Sequence, residues 1–212
     1  MQHLIDFFLS AYRDARPFQI YLEAITLIFG IASVYFAKKQ NILVYPTGLI
    51  ATTITVYLLY RAGYFGDMVI NGYYSMMSIY GWYNWSGIKS DKELPVTRTT
   101  LAEKFIGVGM FFLTIVVIYV VYTAFGTEIE TENYIDMLTS GIFFTAMWYM
   151  ALKKIENWTL WIIGDLIAIP LFAHRGLGML SLQYLFFTIL AIQAYLEWRK
   201  ILNSSRTAET QK

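Results

Sequence analysis

The residues best suited to chemistry are two tryptophans and one aspartate within an apolar run near 157 to 173. Trp158, Trp161 and Asp165 follow i, i+3, i+7 spacing, which places two indole rings and a carboxylate on one helical face. Such a face can hold a flat cationic ring by stacking, cation–π attraction and opposite charge. The alternative is an aromatic belt at the membrane surface and an aspartate bonded to a neighbouring helix. Trp158 fits the belt well, whereas Trp161 with Asp165 favours a binding site.

A second set of polar side chains lies in two other apolar runs. Polar residues recur every three or four positions in one of these runs, at Asp67, Asn71, Tyr74 and Ser78. Their side chains could bind the edge of a sugar or pyrimidine, and they could equally well form hydrogen bonds between helices. Gln183 and Tyr184 lie about a third of the way into the last run, where an amide has no reason to face lipid. The predicted substrate-binding residues are therefore Trp158, Trp161, Asp165, Asn71, Tyr74, Gln183 and Tyr184.

Other site chemistries lack their residues. The chain has no cysteine, and His3 and His174 lie far apart without companion ligands, so we predict no metal site. No phosphate-binding G-x-x-x-x-G-K-[ST] loop and no G-x-S-x-G serine is present. We expect no catalytic residues and no cofactor, and therefore no enzyme.

The composition indicates that the protein lies in a membrane. A hydrophobic fraction of 57% with only 15% charged residues predicts an integral membrane protein. A net charge of +1 provides no field that would attract nucleic acid. We therefore expect lipid as a partner and exclude DNA and RNA.

Seven apolar runs are long enough to cross a bilayer as helices, because about 20 residues span the hydrocarbon core. They lie near 18–37, 42–60, 64–85, 105–125, 134–152, 157–173 and 176–198. We divide the chain into an interfacial helix (1–17), a first three-helix bundle (18–85), a linker with the fourth helix (86–133), a second bundle (134–198) and a disordered tail (199–212). The interfacial helix is favoured over a signal peptide, because Asp6 interrupts its apolar face and no basic segment precedes it.

The basic residues predict the orientation. Seven spans place most lysines and arginines on one side of the membrane and only Arg13, Arg16, Arg61 and Arg175 on the other. By the positive-inside rule, the C-terminus is cytoplasmic and the N-terminus is outside.

An internal repeat follows each of two lysine pairs. After Lys38-Lys39 come Asn41, Tyr45, Gly48, Arg61 and finally Trp85; after Lys153-Lys154 come Asn157, Trp161, Gly164, Arg175 and finally Trp198. Any two membrane helix pairs share some glycines, aromatic ends and basic loops, so the identities alone leave the repeat open. The topology favours it, because one extra helix lets two three-helix repeats run parallel, as in known transporters.

Two strings resemble the PnuC family of bacterial nicotinamide riboside transporters. They are Tyr80-Gly81-Trp82-Tyr83-Asn84-Trp85 and Glu156-Asn157-Trp158-Thr159-Leu160-Trp161, followed by Leu182-Gln183-Tyr184. The similarity extends from Glu23 to Trp198. It implies a 3+1+3 arrangement of all-α membrane helices like that of the SWEET sugar transporters, and a homotrimer in the bacterial inner membrane.

The resemblance also implies an activity. It predicts uptake of nicotinamide riboside by facilitated diffusion, after which a cytoplasmic kinase traps the vitamin by phosphorylation. Trp158 and Trp161 match the family's substrate-contacting W-x-x-W pair. Asp165 stands where riboside transporters often have Asn, and Asn71 where many have Gln. Thiamine, carried by the related PnuT transporters, is also a flat cation and is the alternative substrate; a sensor or scaffold without transport is a third hypothesis, and coupling to an ion stays open.

Overall fold

The computed structural model describes residues 17–62, 65–87, 94–124, 129–175 and 178–210, and these residues form an all-α protein. The helices are α1 (Pro17–Lys38), α2 (Val44–Ala62), α3 (Phe65–Trp85), α4 (Leu101–Ala124), α5 (Thr131–Ala151), α6 (Glu156–His174) and α7 (Gly178–Thr210). Pro17 begins α1, a position where its missing N–H costs no helical hydrogen bond. The seven predicted runs match these helices within four residues at each end, except at the end of α7, which lies twelve residues beyond the predicted 198. The predicted interfacial helix lies outside the described residues.

One boundary prediction is wrong. The segment 199–212 was expected to be disordered, but α7 continues to Thr210. Neither glycine nor proline interrupts the chain after Trp198, so nothing local ends the helix.

Three helices contain a stretch apolar enough to cross a membrane. By length and composition, Pro17–Lys38, Leu101–Ala124 and Gly178–Ser204 suffice for this within the described chain. The other described helices are of similar length, but none of them contains an 18-residue stretch of the same hydropathy. In α5 most of the residues are buried, including Thr139, Ser140 and Thr145. Polar side chains there face protein, where Thr145 can donate to the carbonyl of Gly107, 3.2 Å away.

Six helices close into a ring. Each helix packs on the next in the order α1, α2, α3, α5, α6, α7, and α7 packs on α1. Helix α4 packs mainly on α5, outside this ring. Exchanging α1, α2 and α3 with α5, α6 and α7 leaves this pattern of neighbours unchanged.

The turns that follow α1 and α5 have matching backbone geometry. Gln40 and Lys153 both adopt φ 55°, the left-handed conformation that often ends a helix. The next N–H reaches back to the helix in the same way at both turns, from Asn41 to Phe36 and from Lys154 to Tyr149, each at 2.9 Å. The sequence comparison had placed Asn157 opposite Asn41. Matching the two turns instead pairs Tyr45 with Trp158, a difference of about one helical turn. The sequence does not reveal this pairing, because the left-handed residue of each turn is not the glycine that usually marks such a position.

Two tryptophans, Trp85 and Trp198, connect α1–α3 with α5–α7. Trp85 of α3 donates its indole N–H to the carbonyl of Met150, at 3.3 Å, and Trp198 of α7 donates to the carbonyl of Ala37, at 3.1 Å. Tyr45 lies edge-on to Trp85 and Trp158 lies edge-on to Trp198, at 5.1 and 5.4 Å between ring centroids. We call Tyr45, Trp85, Trp158 and Trp198 the tryptophan core. It closes the end of the ring that carries the two lysine pairs.

Candidate substrate-binding site

The centre of α6 carries polar atoms that the protein itself does not satisfy. Asp165 is 2% exposed, and its Oδ2 has no hydrogen-bond partner among the described residues. The indole Nε1 of Trp161, one helical turn earlier, is also buried and without a partner there. Because buried polar groups are nearly always hydrogen-bonded, an acceptor and a donor left together indicate a place for a polar ligand or water.

Aromatic rings from several helices surround this face. Phe143 of α5 stacks on Trp161, with 5.2 Å between ring centroids, and on Tyr184 of α7, with 6.0 Å. Tyr74 of α3 lies 6.3 Å from Trp161, and Phe172 of α6 stacks on Tyr184 at 5.1 Å. We call Tyr74, Phe143, Trp161, Phe172 and Tyr184 the central aromatic cluster. Three of the residues predicted from sequence thus converge, although they come from three different helices.

Two other predicted residues lie beside the cluster. Asn71 is half-buried and precedes Tyr74 by three positions on α3, so both lie on one face of that helix. Gln183 is half-buried next to Tyr184, but successive residues of a helix point about 100° apart. The ring contacts of Tyr184 therefore do not bring Gln183 into the cluster. Ser78 instead donates to the carbonyl of Tyr74, at 2.9 Å, and the side chain of Asp67 lies outside the described part.

The two tryptophans of the W-x-x-W pair occupy different surroundings. Trp158 is 1% exposed and belongs to the tryptophan core, where its ring meets Trp198. It is therefore not part of a membrane-surface belt. Its Nε1 and the Oδ1 of the neighbouring Asn157 are buried without partners in the described chain. Substrate contact by Trp158 stays a prediction, whereas Trp161 lies in the central aromatic cluster.

Sequence reasoning missed Phe143, the ring that connects Trp161 to Tyr184. The residue that could have indicated this contact is Gly164, because a glycine inside a membrane helix often marks a place where another group packs closely. A Cβ at Gly164 would lie 2.2 Å from Cε1 of Phe143, so the absent side chain lets the ring lie against α6. Gly164 and Phe143 together set the distance between α5 and α6 at the site.

Charged residues at the other end of the ring bond to one another. Arg175 pairs with Glu132 at 2.9 Å and with Asp136 at 3.7 Å, and Tyr122 of α4 donates to Asp136 at 3.2 Å. These bonds favour a structural role for Asp136, because they connect it to α4 and to the end of α6. Within the described residues, no group of three or more His, Cys, Asp or Glu side chains is arranged to hold a metal ion.

Apolar helices in a closed ring, with an aromatic cluster and a buried carboxylate between them, are the features of a membrane protein. A family model described as "Nicotinamide mononucleotide transporter" matches residues 20–200. The chain belongs to this family of transporters, which agrees with the expectation that it is not an enzyme.

Individual relatives agree with the family model. A protein of Escherichia coli (strain K12) named "Nicotinamide riboside transporter PnuC" is 26% identical, over 88% of this chain and 87% of its own length. A protein of the same name from Neisseria mucosa is 25% identical, over 86% and 73%. A solved structure titled "Crystal structure of the Vitamin B3 transporter PnuC" has a TM-score of 0.70 at 22% identity and covers 92% of this chain and 86% of its own. The resemblance to the PnuC family is confirmed.

Proposed function

We propose that this protein carries nicotinamide riboside across the bacterial inner membrane by facilitated diffusion. The observation that carries the proposal is a pair of buried polar atoms, Oδ2 of Asp165 and Nε1 of Trp161, neither of which has a hydrogen-bond partner among the described residues. Trp161 belongs to the central aromatic cluster, and Asp165 follows it by one helical turn. Nicotinamide riboside has a flat, positively charged ring, which needs an aromatic surface and a negative counter-charge. It also has hydroxyl groups, for which we propose Asn71 and Tyr74 of α3 as hydrogen-bond partners.

The site favours a riboside over a mononucleotide. None of the residues that build the central aromatic cluster is basic, and the nearest charged residue on that face of α6 is the acidic Asp165. A phosphate group would be repelled by this carboxylate, and repulsion in a low-dielectric interior is strong. The Arg175 guanidinium lies 5.9 Å from the centroid of the Phe172 ring, but it is already paired with Glu132 and Asp136. The relatives' names, which specify the riboside, agree with this chemistry.

The architecture we propose is two parallel three-helix bundles joined by α4, as in SWEET transporters. The closed ring of six helices and the reciprocal bonds of Trp85 and Trp198 support it. We place the C-terminus and the lysine pairs in the cytoplasm on the positive-inside rule. A kinase there would trap the vitamin as its phosphate.

We also propose a homotrimer. Support comes from α4, which lies outside the ring and exposes large apolar side chains such as Phe105, Leu113 and Val116. Either lipid or the neighbouring subunits of a trimer can cover this face. The mass of the protein in nanodiscs distinguishes these two coverings.

Uptake into proteoliposomes tests the function. We expect labelled nicotinamide riboside to equilibrate across the bilayer, with competition by unlabelled riboside and little by the mononucleotide. Thiamine is the second candidate because it is also a flat cation. If calorimetry shows micromolar binding of thiamine and no binding of nicotinamide riboside, the proposed substrate is thiamine.

Two further outcomes would change the mechanism. Concentrative uptake that disappears when proton and sodium gradients are collapsed would show a symporter in place of a passive carrier. Binding of the riboside without any uptake would indicate a receptor.

A further inference from the structure

The ring of six helices has two places where its halves meet. One lies between α3 and α5 and the other between α1 and α7, and we call them the α3–α5 seam and the α1–α7 seam. A carrier that releases its ligand past the tryptophan core must open one of them, because alternating access moves one half of a transporter against the other. The bonds across each seam determine which one opens more easily.

The α3–α5 seam is held over several turns of α3. Near the tryptophan core, Asn84 donates its side-chain amide to the carbonyl of Ala151, at 2.9 Å, beside the indole bond of Trp85. Further along α3, Tyr73 donates to the carbonyl of Phe144, at 3.1 Å, and the two rings stack with 3.4 Å between centroids. These bonds are buried or half-buried, where water competes with them only weakly.

The chain between α3 and α4 adds a strap across the same seam. Thr97 forms a parallel bridge with the turn after α5, donating to the carbonyl of Lys153 at 3.1 Å and accepting the N–H of Ile155 at 3.0 Å. Nζ of Lys154 and Oε1 of Glu103 form a largely buried ion pair at 2.8 Å, which fixes the start of α4 to this turn. Because the chain leaves α3 and is bonded to the turn beyond α5, it resists separation of the two helices.

The α1–α7 seam is held more weakly. Among the described residues, the hydrogen bonds across it are those of Trp198 with a backbone carbonyl of α1 and of Lys38 with Gln193, at 3.1 and 2.9 Å. Lys38 and Lys39 also form ion pairs with Glu197, at 3.7 and 3.8 Å. The bond of Lys38 and these ion pairs are open to water and contribute little to stability, whereas the bond of Trp198 is buried.

No strap crosses the α1–α7 seam within the described chain. The carbonyl of Gln40 and the N–H of Ile42 correspond to the two groups that pair with Thr97 at the other turn, yet neither has a partner among the described residues. The turn after α1 is therefore free of the constraint that fixes the turn after α5.

We infer that the end closed by the tryptophan core opens at the α1–α7 seam, while the α3–α5 seam acts as the hinge. Opening between α1 and α7 breaks one buried hydrogen bond, whereas opening between α3 and α5 breaks several and pulls the strap from its turn. The turn after α1 then moves and the turn after α5 stays. The inference rests on the proposed transport, since a protein that carries nothing has no need to open.

Cross-links across each seam test the inference. The chain has no cysteine, so introduced pairs react at defined places. Lys39→Cys with Glu197→Cys bridges the α1–α7 seam, and Leu152→Cys with Asn84→Cys bridges the α3–α5 seam. The two pairs match, because each combines the residue before a left-handed turn residue with the residue before a tryptophan of the core. A short bifunctional methanethiosulfonate reagent closes each bridge, and dithiothreitol opens it again.

Uptake of labelled nicotinamide riboside into proteoliposomes is measured with each bridge closed and after reduction. We expect the α1–α7 bridge to lower uptake about tenfold or more and reduction to restore it, because a carrier with a fixed gate does not turn over. The α3–α5 bridge should leave uptake within about twofold of the reduced sample, because a hinge need not separate. Uptake that persists with the α1–α7 bridge closed, or an equal loss with either bridge, overturns the inference. Since Lys39 and Glu197 lie at the surface, their bridge tests it even if the other variant does not fold.

Spin labels at the same four positions test the gate without transport. In nanodiscs, pulsed electron paramagnetic resonance should show a second, longer distance for the α1–α7 pair and a single distance for the α3–α5 pair. If the wild-type protein takes up no riboside, the proposed function fails and the spin labels alone decide the gate. Movement of the α1–α7 pair then supports the inference, and movement of the α3–α5 pair or of neither pair overturns it.

Discussion

A single carboxylate, Asp165, distinguishes the chemistry of the central site. It is buried, one of its oxygens has no partner among the described residues, and it lies one helical turn from Trp161. A charge in the middle of a membrane helix costs about 2.5–3.5 kcal/mol or more, which a cationic ligand would offset when bound. A merely structural aspartate would instead be expected to bond a neighbouring helix.

Replacing Asp165 by Asn tests the counter-charge. The amide keeps the size and the hydrogen bonding but removes the charge, so we expect riboside affinity to fall by about one to two powers of ten. Calorimetry and a thermal melt on the same sample separate the two interpretations. Normal affinity in a less stable protein would show that Asp165 holds helices together.

The two tryptophans of α6 should respond differently to the same substitution. Trp161→Phe removes the indole N–H and part of the stacking surface in the central aromatic cluster, so we expect affinity to fall about tenfold or more. Trp158→Phe changes the tryptophan core and should lower stability by about 1–3 kcal/mol, with affinity nearly unchanged. Binding and unfolding measured for both variants check this division. Equal losses of affinity would place both rings against the substrate.

A glycine in α6, Gly164, allows the rings of the site to pack closely. Gly164 lies against the ring of Phe143, and Phe143 links Trp161 to Tyr184. Pro170, later in α6, cannot donate to the carbonyl of Leu166, so the helix also lacks one backbone hydrogen bond close to Asp165. The shape of the site therefore depends on the close packing of α5 and α6.

Gly164→Ala should move this packing. The new methyl would lie 2.2 Å from Phe143, so the ring must shift, at a cost of about 1–3 kcal/mol in stability and with weaker riboside binding. Gly109→Ala in α4 is the control, since nothing lies within 4 Å of its Cβ position and alanine favours the helix. Thermal unfolding and binding of both variants test the prediction. A Gly164→Ala protein as stable as the control, with full affinity, would contradict it.

The closed ring is held at one end by the tryptophan core. Each half of the molecule donates one indole N–H to a backbone carbonyl of the other half. The rings of Trp85 and Trp198 also approach each other, with 6.0 Å between centroids. These contacts connect helices far apart in the chain and should keep this end shut while ligand occupies the centre.

Trp85→Phe and Trp198→Phe should each destabilise the protein by about 1–3 kcal/mol, because each removes a buried indole hydrogen bond and part of a packed ring, although the Met150 and Ala37 carbonyls keep their backbone donors. The loss in the double variant should differ from the sum of the single losses, since the two rings are neighbours. Trp82→Phe is the control, because Trp82 is 43% exposed on the same helix as Trp85. Calorimetric unfolding measures all four proteins. A double variant with simply additive losses would mean that the two bonds act independently.

Much of this protein was predictable from local patterns. The apolar runs predicted the helices, because backbone in lipid must satisfy its own hydrogen bonds. The spacing of Trp161 and Asp165 predicted a shared face, because helical geometry alone determines it. The strings Tyr80–Trp85 and Glu156–Trp161 together also predicted the family.

The tertiary structure decided what local patterns do not contain. It brought Phe143, a residue with no polar group to draw notice, between Trp161 and Tyr184. It also gave the two tryptophans different ring partners, Trp198 for Trp158 and Phe143 with Tyr74 for Trp161, because these partners come from other helices. Matching the turns at left-handed Gln40 and Lys153 changes which residues of the two stretches correspond, by about one helical turn from the correspondence of Asn41 with Asn157. Spacing along one helix determines a face, whereas only the packing of distant helices determines what that face meets.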